Sequence, residues 1–143
     1  LGSLYVSQFL PFIFFVQALP VYMRQQGMSL ESIGALGLLI LPWAFKFLWS
    51  PYIDRIHLTR HYHYRSWIIL FQCLLAANLL ICSFLDVRSQ FISVLVLTFV
   101  GCAIAASQDI ATDAFAITIL ERDERAIGNG IQNGGNQLGA IIG

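Results

Sequence analysis

Three ionisable side chains stand inside long apolar segments of this sequence: Lys46, Asp109 and Asp113. An ionised side chain near the centre of a bilayer costs about 2.5–3.5 kcal/mol on insertion scales, so such groups usually serve a function. A carboxyl group withdrawn from water binds a proton more readily than one in water. The two aspartates are therefore candidates for a proton or substrate relay, with Lys46 as their counter-charge.

The depth of these residues in their segments suggests how they pair. Lys46 lies eight residues before Asp54, and Asp113 lies eight residues before Glu121. At ~1.5 Å per residue, each is roughly 12 Å from the end of its helix. Asp109 is one turn away from Asp113, on the same helix face. The spacing predicts an ion pair of Lys46 with Asp113 or with Asp109.

The role of such a pair stays open at this point. The charges are consistent with a proton relay, with a salt bridge that stabilises a gate, or with direct contact to a substrate. Arg55 is an alternative cation for the salt bridge. The long stem of Lys46 would also let its ammonium reach the membrane surface.

Amide side chains accompany the charges. Gln108 directly precedes Asp109, Gln8 and Gln17 lie in the first apolar segment, and Asn133 lies in the last. In membrane helices such groups either line a polar cavity or hydrogen-bond a neighbouring helix. We assign Gln108 to the translocation path and expect Gln8, Gln17 and Asn133 to line a cavity.

The composition indicates what must position these residues. Of 143 residues, 57% are hydrophobic and 11% are charged, with a formal net charge of zero. Soluble domains are about 25% charged, and a fold of this size cannot hide so much apolar surface from water. The composition therefore predicts an all-α polytopic membrane protein surrounded by a lipid bilayer. The balanced charge argues against a nucleic-acid partner.

A membrane-spanning helix needs about 20 mostly apolar residues, and the sequence offers five such segments. They are 4–23, 32–53, 66–85, 90–120 and 126–143. We interpret residues 1–143 as one fragment of an N-terminal helical bundle. Because the chain starts without Met and stops inside an apolar segment, we expect further sequence at both ends, including a C-terminal bundle.

The distribution of arginine predicts the orientation. The loops after the second and fourth segments hold five arginines against two on the opposite side. The five are Arg55, Arg60, Arg65, Arg122 and Arg125, and the two are Arg24 and Arg88. Cytoplasmic loops carry the excess of basic residues, so we expect a cytoplasmic N-terminus.

The last segment repeats glycine every fourth residue, at Gly135, Gly139 and Gly143. Small residues at this spacing let two membrane helices approach closely, so we assign the three glycines to helix packing.

Asp109 and Asp113 share one helix, whereas an intramembrane aspartyl protease needs carboxylates that face each other from different helices. We therefore predict that the protein is not an enzyme.

Neither metal nor cofactor is expected. The three cysteines, Cys73, Cys82 and Cys102, lie in apolar runs without metal-binding spacing. Three histidines, His57, His61 and His63, lie in a basic, aromatic loop that explains them without a metal.

Three stretches carry a family resemblance: FKFLWSPYIDR at 45–55, ASQDIATDA at 106–114 and ERAIGNG at 124–130. In this order they resemble the AmpG-like permeases of the major facilitator superfamily. That branch transports peptidoglycan fragments, acetyl-CoA and siderophores. The resemblance implies about twelve helices in two bundles around a central cavity, with this chain supplying the first five. It also implies that Asp54 and Arg55 occupy the loop position that latches the cytoplasmic gate.

The resemblance implies a secondary active transporter in the bacterial inner (plasma) membrane. We expect proton-coupled uptake of a small solute, such as a muropeptide or a siderophore. The alternatives are an acetyl-CoA-type transporter and a non-transporting membrane sensor on the same fold. The expected partners are the bilayer, the solute, the proton and the C-terminal bundle.

Overall fold

The computed structural model describes residues 2–56, 63–87, 89–121 and 124–142, and the side chains of Gln8 and Arg125 lie outside this description. Within these ranges the chain is helical and contains no strand, which confirms the all-α prediction. The helices are α1 (Gly2–Gln25), α2 (Leu30–Leu48), α3 (Ser50–Arg55), α4 (His63–Ser83), α5 (Phe91–Ile119) and α6 (Arg125–Ile142).

Four of these helices, α1, α2, α4 and α5, are long and apolar enough to cross a membrane. The 29 residues of α5 extend about 44 Å, more than the roughly 30 Å of a hydrocarbon core. The 18 residues of α6 are richer in glycine and amide side chains. Helix α6 is therefore not among the four, although it covers residues 126–142 of the fifth predicted segment.

Helix α2 is the least regular of the long helices. It alternates between α-helix (Leu30–Ala35 and Leu41–Phe45) and 3-10 helix (Leu36–Ile40 and Lys46–Leu48). Pro42 lies at the start of the second α-helical piece, where its missing N–H is tolerated. Short 3-10 stretches inside a helix often mark a hinge. The last of them carries Lys46.

Helix α1 also changes its winding. A π-helical turn, Phe14–Ala18, lies between Pro11 and Pro20. Each proline removes one backbone donor from the hydrogen-bond ladder, which favours a local change of pitch. Gln17 lies in this widened turn and is exposed.

Helix α5 occupies the centre of the bundle, because it packs along α4 and also contacts α1, α2 and α3. The second extensive seam runs between α1 and α6. There, Gly135 and Gly139 are buried against α1. A methyl group on Gly135 would lie 2.9 Å from Cβ of Tyr5, so the two helices approach closely. The third glycine of the repeat, Gly143, lies outside the described residues.

Candidate functional site

The first element of the site is an ion pair between α2 and α5. Nζ of Lys46 lies 2.5 Å from Oδ2 of Asp109. The Asp109 side chain is 7% exposed, and that of Lys46 is 33% exposed. Of the two pairings that the sequence left open, the structure contains the one with Asp109.

Two tryptophans lie near this region of α2 and α5: Trp43 contacts the ion pair, and Trp49 contacts Ser107. The Lys46 ammonium lies 5.5 Å from the ring centroid of Trp43, within the range of a cation–π interaction. Nε1 of Trp49 donates a hydrogen bond of 3.1 Å to Oγ of Ser107. Ser107 in turn donates to the carbonyl of Ala103 at 2.7 Å. A neutral hydrogen bond thus joins the end of α2 to α5 beside the ion pair.

The second element is Asp113, whose partners differ from those of Asp109. Its Oδ1 accepts a hydrogen bond of 2.8 Å from the Tyr5 hydroxyl and one of 3.0 Å from Nε2 of Gln132. Tyr5 lies on α1, is 2% exposed, and abuts Gly135 of α6. One carboxyl oxygen therefore ties three helices together through neutral donors.

A cavity of about 340 Å³ adjoins Asp113 between α1, α5 and α6. Its polar side consists of Tyr5, Asp113, Asn129 and Gln132, and its apolar wall includes Ile117 and Leu120. Such a mixture of hydrogen-bonding groups and apolar surface is typical of sites that bind small molecules.

Comparison with known proteins identifies the family. The family model described as "Acetyl-coenzyme A transporter 1" matches residues 1–143. The chain belongs to this family. The match confirms the AmpG-like, major-facilitator resemblance of the three motifs, and with the four apolar helices it makes this chain part of an integral membrane protein.

Three relatives that resemble this chain come from bacteria. An uncharacterized protein of Haemophilus influenzae is 34% identical over 93% of this chain and 31% of its own length. The anhydromuropeptide permease of Escherichia coli K12 is 32% identical over 87% of this chain and 25% of its own length. The putative transporter AmpG 4 of Rickettsia conorii is 26% identical over 93% and 33%, respectively. The chain thus spans between a quarter and a third of the length of these relatives.

The remaining predicted residues of this AmpG-like chain lie in different settings. Gln108 is fully buried, and in the part of the chain that the structure describes its amide atoms have no hydrogen-bond partner. Gln17 and Asn133 are exposed on α1 and α6, and neither is among the side chains lining the Asp113 cavity. The side chain of Gln8 lies outside the described residues.

The two residues assigned to the gate are the last two residues of helix α3. Asp54 and Arg55 are both exposed, and Asp54 accepts a hydrogen bond of 3.3 Å from the Tyr64 hydroxyl on α4. Nε1 of Trp67 donates to the carbonyl of Ile56 at 3.0 Å. Helix α4 thus holds the end of α3 in place. The loop histidines His57 and His61 lie outside the described residues.

Sequence reasoning missed two parts of the site. It did not select Tyr5 as a partner of Asp113, and it did not pair Trp49 with Ser107. One signal for Tyr5 was available: α1 begins at the same predicted membrane face at which α5 ends. Tyr5 and Asp113 therefore lie in the same half of the predicted bilayer.

Proposed function

We propose that this chain forms part of the N-terminal bundle of a secondary active transporter that couples solute uptake to the proton gradient. The observation that carries the proposal is the Lys46–Asp109 ion pair inside the apolar helices α2 and α5. Withdrawing two charges from water costs several kcal/mol, and a buried pair often stabilises less than apolar residues would. The presence of this pair therefore favours a role in the working cycle over a role in stability alone.

The proposed mechanism uses the charged side chains of both helices. Lys46 and Asp109 neutralise each other where α2 and α5 meet, and Asp113 offers a second carboxyl one turn away. Gln108, on the same turn of α5, contributes polarity to the path. A proton that binds to a carboxyl changes the net charge of this region. This change in net charge then shifts the equilibrium between two conformations of the bundle.

The proposed solute is a muropeptide or a siderophore. The name of the E. coli relative, anhydromuropeptide permease, supports the first choice. An acetyl-CoA-type substrate is the second candidate, because the matching family model carries that description. Its phosphates would require cations, and Lys46 is already engaged by Asp109. Because Lys46 is paired with Asp109, we favour a muropeptide over acetyl-CoA as the solute.

The proposed topology follows from the sequence. We place the chain in the inner membrane with a cytoplasmic N-terminus and five spans, α6 being the fifth. Asp54 and Arg55, exposed at the end of α3, are proposed to latch a cytoplasmic gate against helices outside this chain. The polar, glycine-rich α6 fits a position facing the central cavity, because a lipid-facing helix would not tolerate its amide side chains.

The test is uptake by the full-length protein reconstituted in proteoliposomes. Labelled anhydromuropeptide, ferric siderophore and acetyl-CoA are offered in turn, with and without an imposed pH gradient. We expect accumulation of one solute class that collapses when the gradient is removed. Uptake that is indifferent to the gradient would refute proton coupling. Binding of a solute without any passage would favour the sensor.

A further inference from the structure

The two carboxyls of α5 meet different kinds of partner. Asp109 contacts an ammonium, whereas Asp113 accepts hydrogen bonds from a phenol and an amide. An ion pair and two neutral hydrogen bonds respond differently to protonation. Adding a proton to Asp109 would leave Lys46 as an uncompensated cation. Adding a proton to Asp113 would remove a charge that its described neighbours do not balance.

The charges around Asp113 can be followed helix by helix. Helix α1 contributes the neutral phenol of Tyr5, and α6 contributes the neutral amide of Gln132. On α5 the nearest ionisable neighbour is Asp109, which carries the same charge. The cation of α2, Lys46, is bound to Asp109. Among the described side chains, an ionised Asp113 thus adds a net negative charge in a region of low dielectric constant.

We propose that Asp113 is the carboxyl that binds and releases the coupled proton, that Asp109 stays ionised against Lys46, and that Tyr5 and Gln132 position Asp113. This inference rests on the proposed transport function. In the step itself, a hydronium ion gives its proton to Oδ2 of Asp113 and leaves as water. On the other side of the membrane, the same O–H bond breaks and the proton passes to water.

The geometry assigns the positioning role to Tyr5 and Gln132. Both donate to Oδ1 of Asp113, and two donors occupy the two lone pairs of that oxygen. The incoming proton is thereby directed to Oδ2. Because the donors belong to α1 and α6, the two hydrogen bonds also depend on how closely these helices pack. Their separation at this point is set by Gly135 against Tyr5.

A spectroscopic test needs no solute. Infrared difference spectra of the full-length protein in lipid, recorded while the pH is changed, reveal the C=O band of a carboxyl that gains a proton. We expect this band to be lost in Asp113→Asn. It should remain in the double variant Lys46→Gln/Asp109→Asn, which removes the ion pair without leaving a lone charge. Other carboxyls of the protein also give C=O bands, so the Asp113 contribution is the part of the spectrum that differs between the unaltered protein and Asp113→Asn. Identical spectra for these two proteins, or absence of that contribution in the double variant, would overturn the assignment.

The positioning role predicts that the same band appears at a different pH when a donor is removed. Tyr5→Phe and Gln132→Leu each remove a donor that favours the ionised carboxyl, so the band should appear at higher pH. We expect a shift of about 1 pH unit, the tenfold change that one hydrogen bond to a charged group supplies. The matched variants Tyr22→Phe and Gln137→Leu alter exposed residues of the same two helices and should leave the midpoint in place. An unmoved midpoint in Tyr5→Phe and Gln132→Leu would refute positioning.

Proteoliposomes separate this inference from the proposed function. With labelled anhydromuropeptide as the probe, Asp113→Asn should lose accumulation driven by the pH gradient and keep exchange of solute across the membrane. Gradient-independent uptake by the unaltered protein would refute the proposed function itself. Gradient-driven uptake that persists in Asp113→Asn would leave that function standing and overturn the present assignment.

Discussion

Asp109 and Asp113 are the same residue type, on the same helix, one turn apart, yet the structure gives them opposite surroundings. Asp109 faces α2 and forms an ion pair with Lys46. Asp113 faces α1 and α6 and is held by the neutral donors Tyr5 and Gln132. The partner across the helix interface, and not the carboxylate itself, distinguishes the two positions.

The helices that supply these partners differ as well. The Asp109 partner comes from α2, whose winding alternates between α and 3-10. The Asp113 partners come from a seam in which glycines bring two helix backbones close together. An ion pair acts over several ångströms and tolerates an irregular helix, whereas two short hydrogen bonds require a fixed distance. The difference predicts that charge governs the first region and packing governs the second.

The largest effect should follow from breaking the ion pair on one side only. Lys46→Met leaves the nearly buried carboxylate of Asp109 without its cation. Removing one partner of a buried pair costs 3–5 kcal/mol, and we expect about 3 kcal/mol because Lys46 is one third exposed. The measurement is the free energy of unfolding of the full-length protein in lipid–detergent micelles.

The control for Lys46→Met removes both charges. Lys46→Met/Asp109→Leu leaves no uncompensated ion, so most of the lost stability should return. If the double variant is as unstable as the single one, shape and not charge holds this region together. The proposed contrast with Asp113 would then disappear.

The next effect concerns the close approach of α1 and α6. A Cβ on Gly135 would lie 2.9 Å from Cβ of Tyr5 and 3.1 Å from the carbonyl oxygen of Gly2. Gly135→Ala must therefore push the helices apart, and overpacking of this kind costs about 2 kcal/mol. Gly134→Ala is the matched control, because a Cβ there meets nothing within 4 Å. Equal unfolding free energies for the two variants would show that the seam between α1 and α6 has room for a methyl group at Gly135.

The apolar composition predicts the membrane-spanning helices, and the spacing along the sequence predicts the depth of their charged residues. Counting residues from the ends of the second and fourth predicted segments brought Lys46 to the level of Asp109 and Asp113. Only the structure distinguishes between the two, because depth does not specify the rotation of a helix about its axis. In a bilayer the apolar pattern gives little help, since lipid-facing and buried surfaces are both apolar.

The partners of Asp113 were harder to predict for the same reason. Tyr5 reaches it only because α1 packs against α5 and α6 at a particular rotation, which no local pattern encodes. The irregular winding of α2 was not predicted, because its alternation between two helix types depends on what α2 packs against. The roles given to Asp54, Arg55, Gln17 and Asn133 stay predictions, since each depends on surfaces that this chain leaves exposed.

A smaller effect should follow from removing the Tyr5 hydroxyl. Tyr5→Phe keeps the ring packed and deletes one donor to Asp113. Side-chain hydrogen bonds within membrane proteins average about 0.6 kcal/mol and reach about 1.7 kcal/mol, and we expect about 1 kcal/mol for this short, buried one. Tyr22→Phe, on the exposed surface of the same helix, should change the unfolding free energy by much less. A loss as large as that of Lys46→Met would show that the hydrogen bond from Tyr5 to Asp113 stabilises the protein as much as the ion pair does.

The smallest effect tests whether the Asp109 region also depends on a neutral contact. Ser107→Ala removes the acceptor of the Trp49 indole, and Trp49→Gln replaces that indole with a shorter amide. We expect Ser107→Ala to cost about 0.6 kcal/mol, the average for a hydrogen bond in a membrane protein. The double-mutant cycle formed with Trp49→Gln isolates the coupling between the two side chains from their separate packing losses. A coupling well above about 0.6 kcal/mol would mean that α2 is held to α5 mainly by a neutral hydrogen bond. The ion pair would then be free to open while the two helices stay together, and charge would govern the chemistry of this region without governing its architecture.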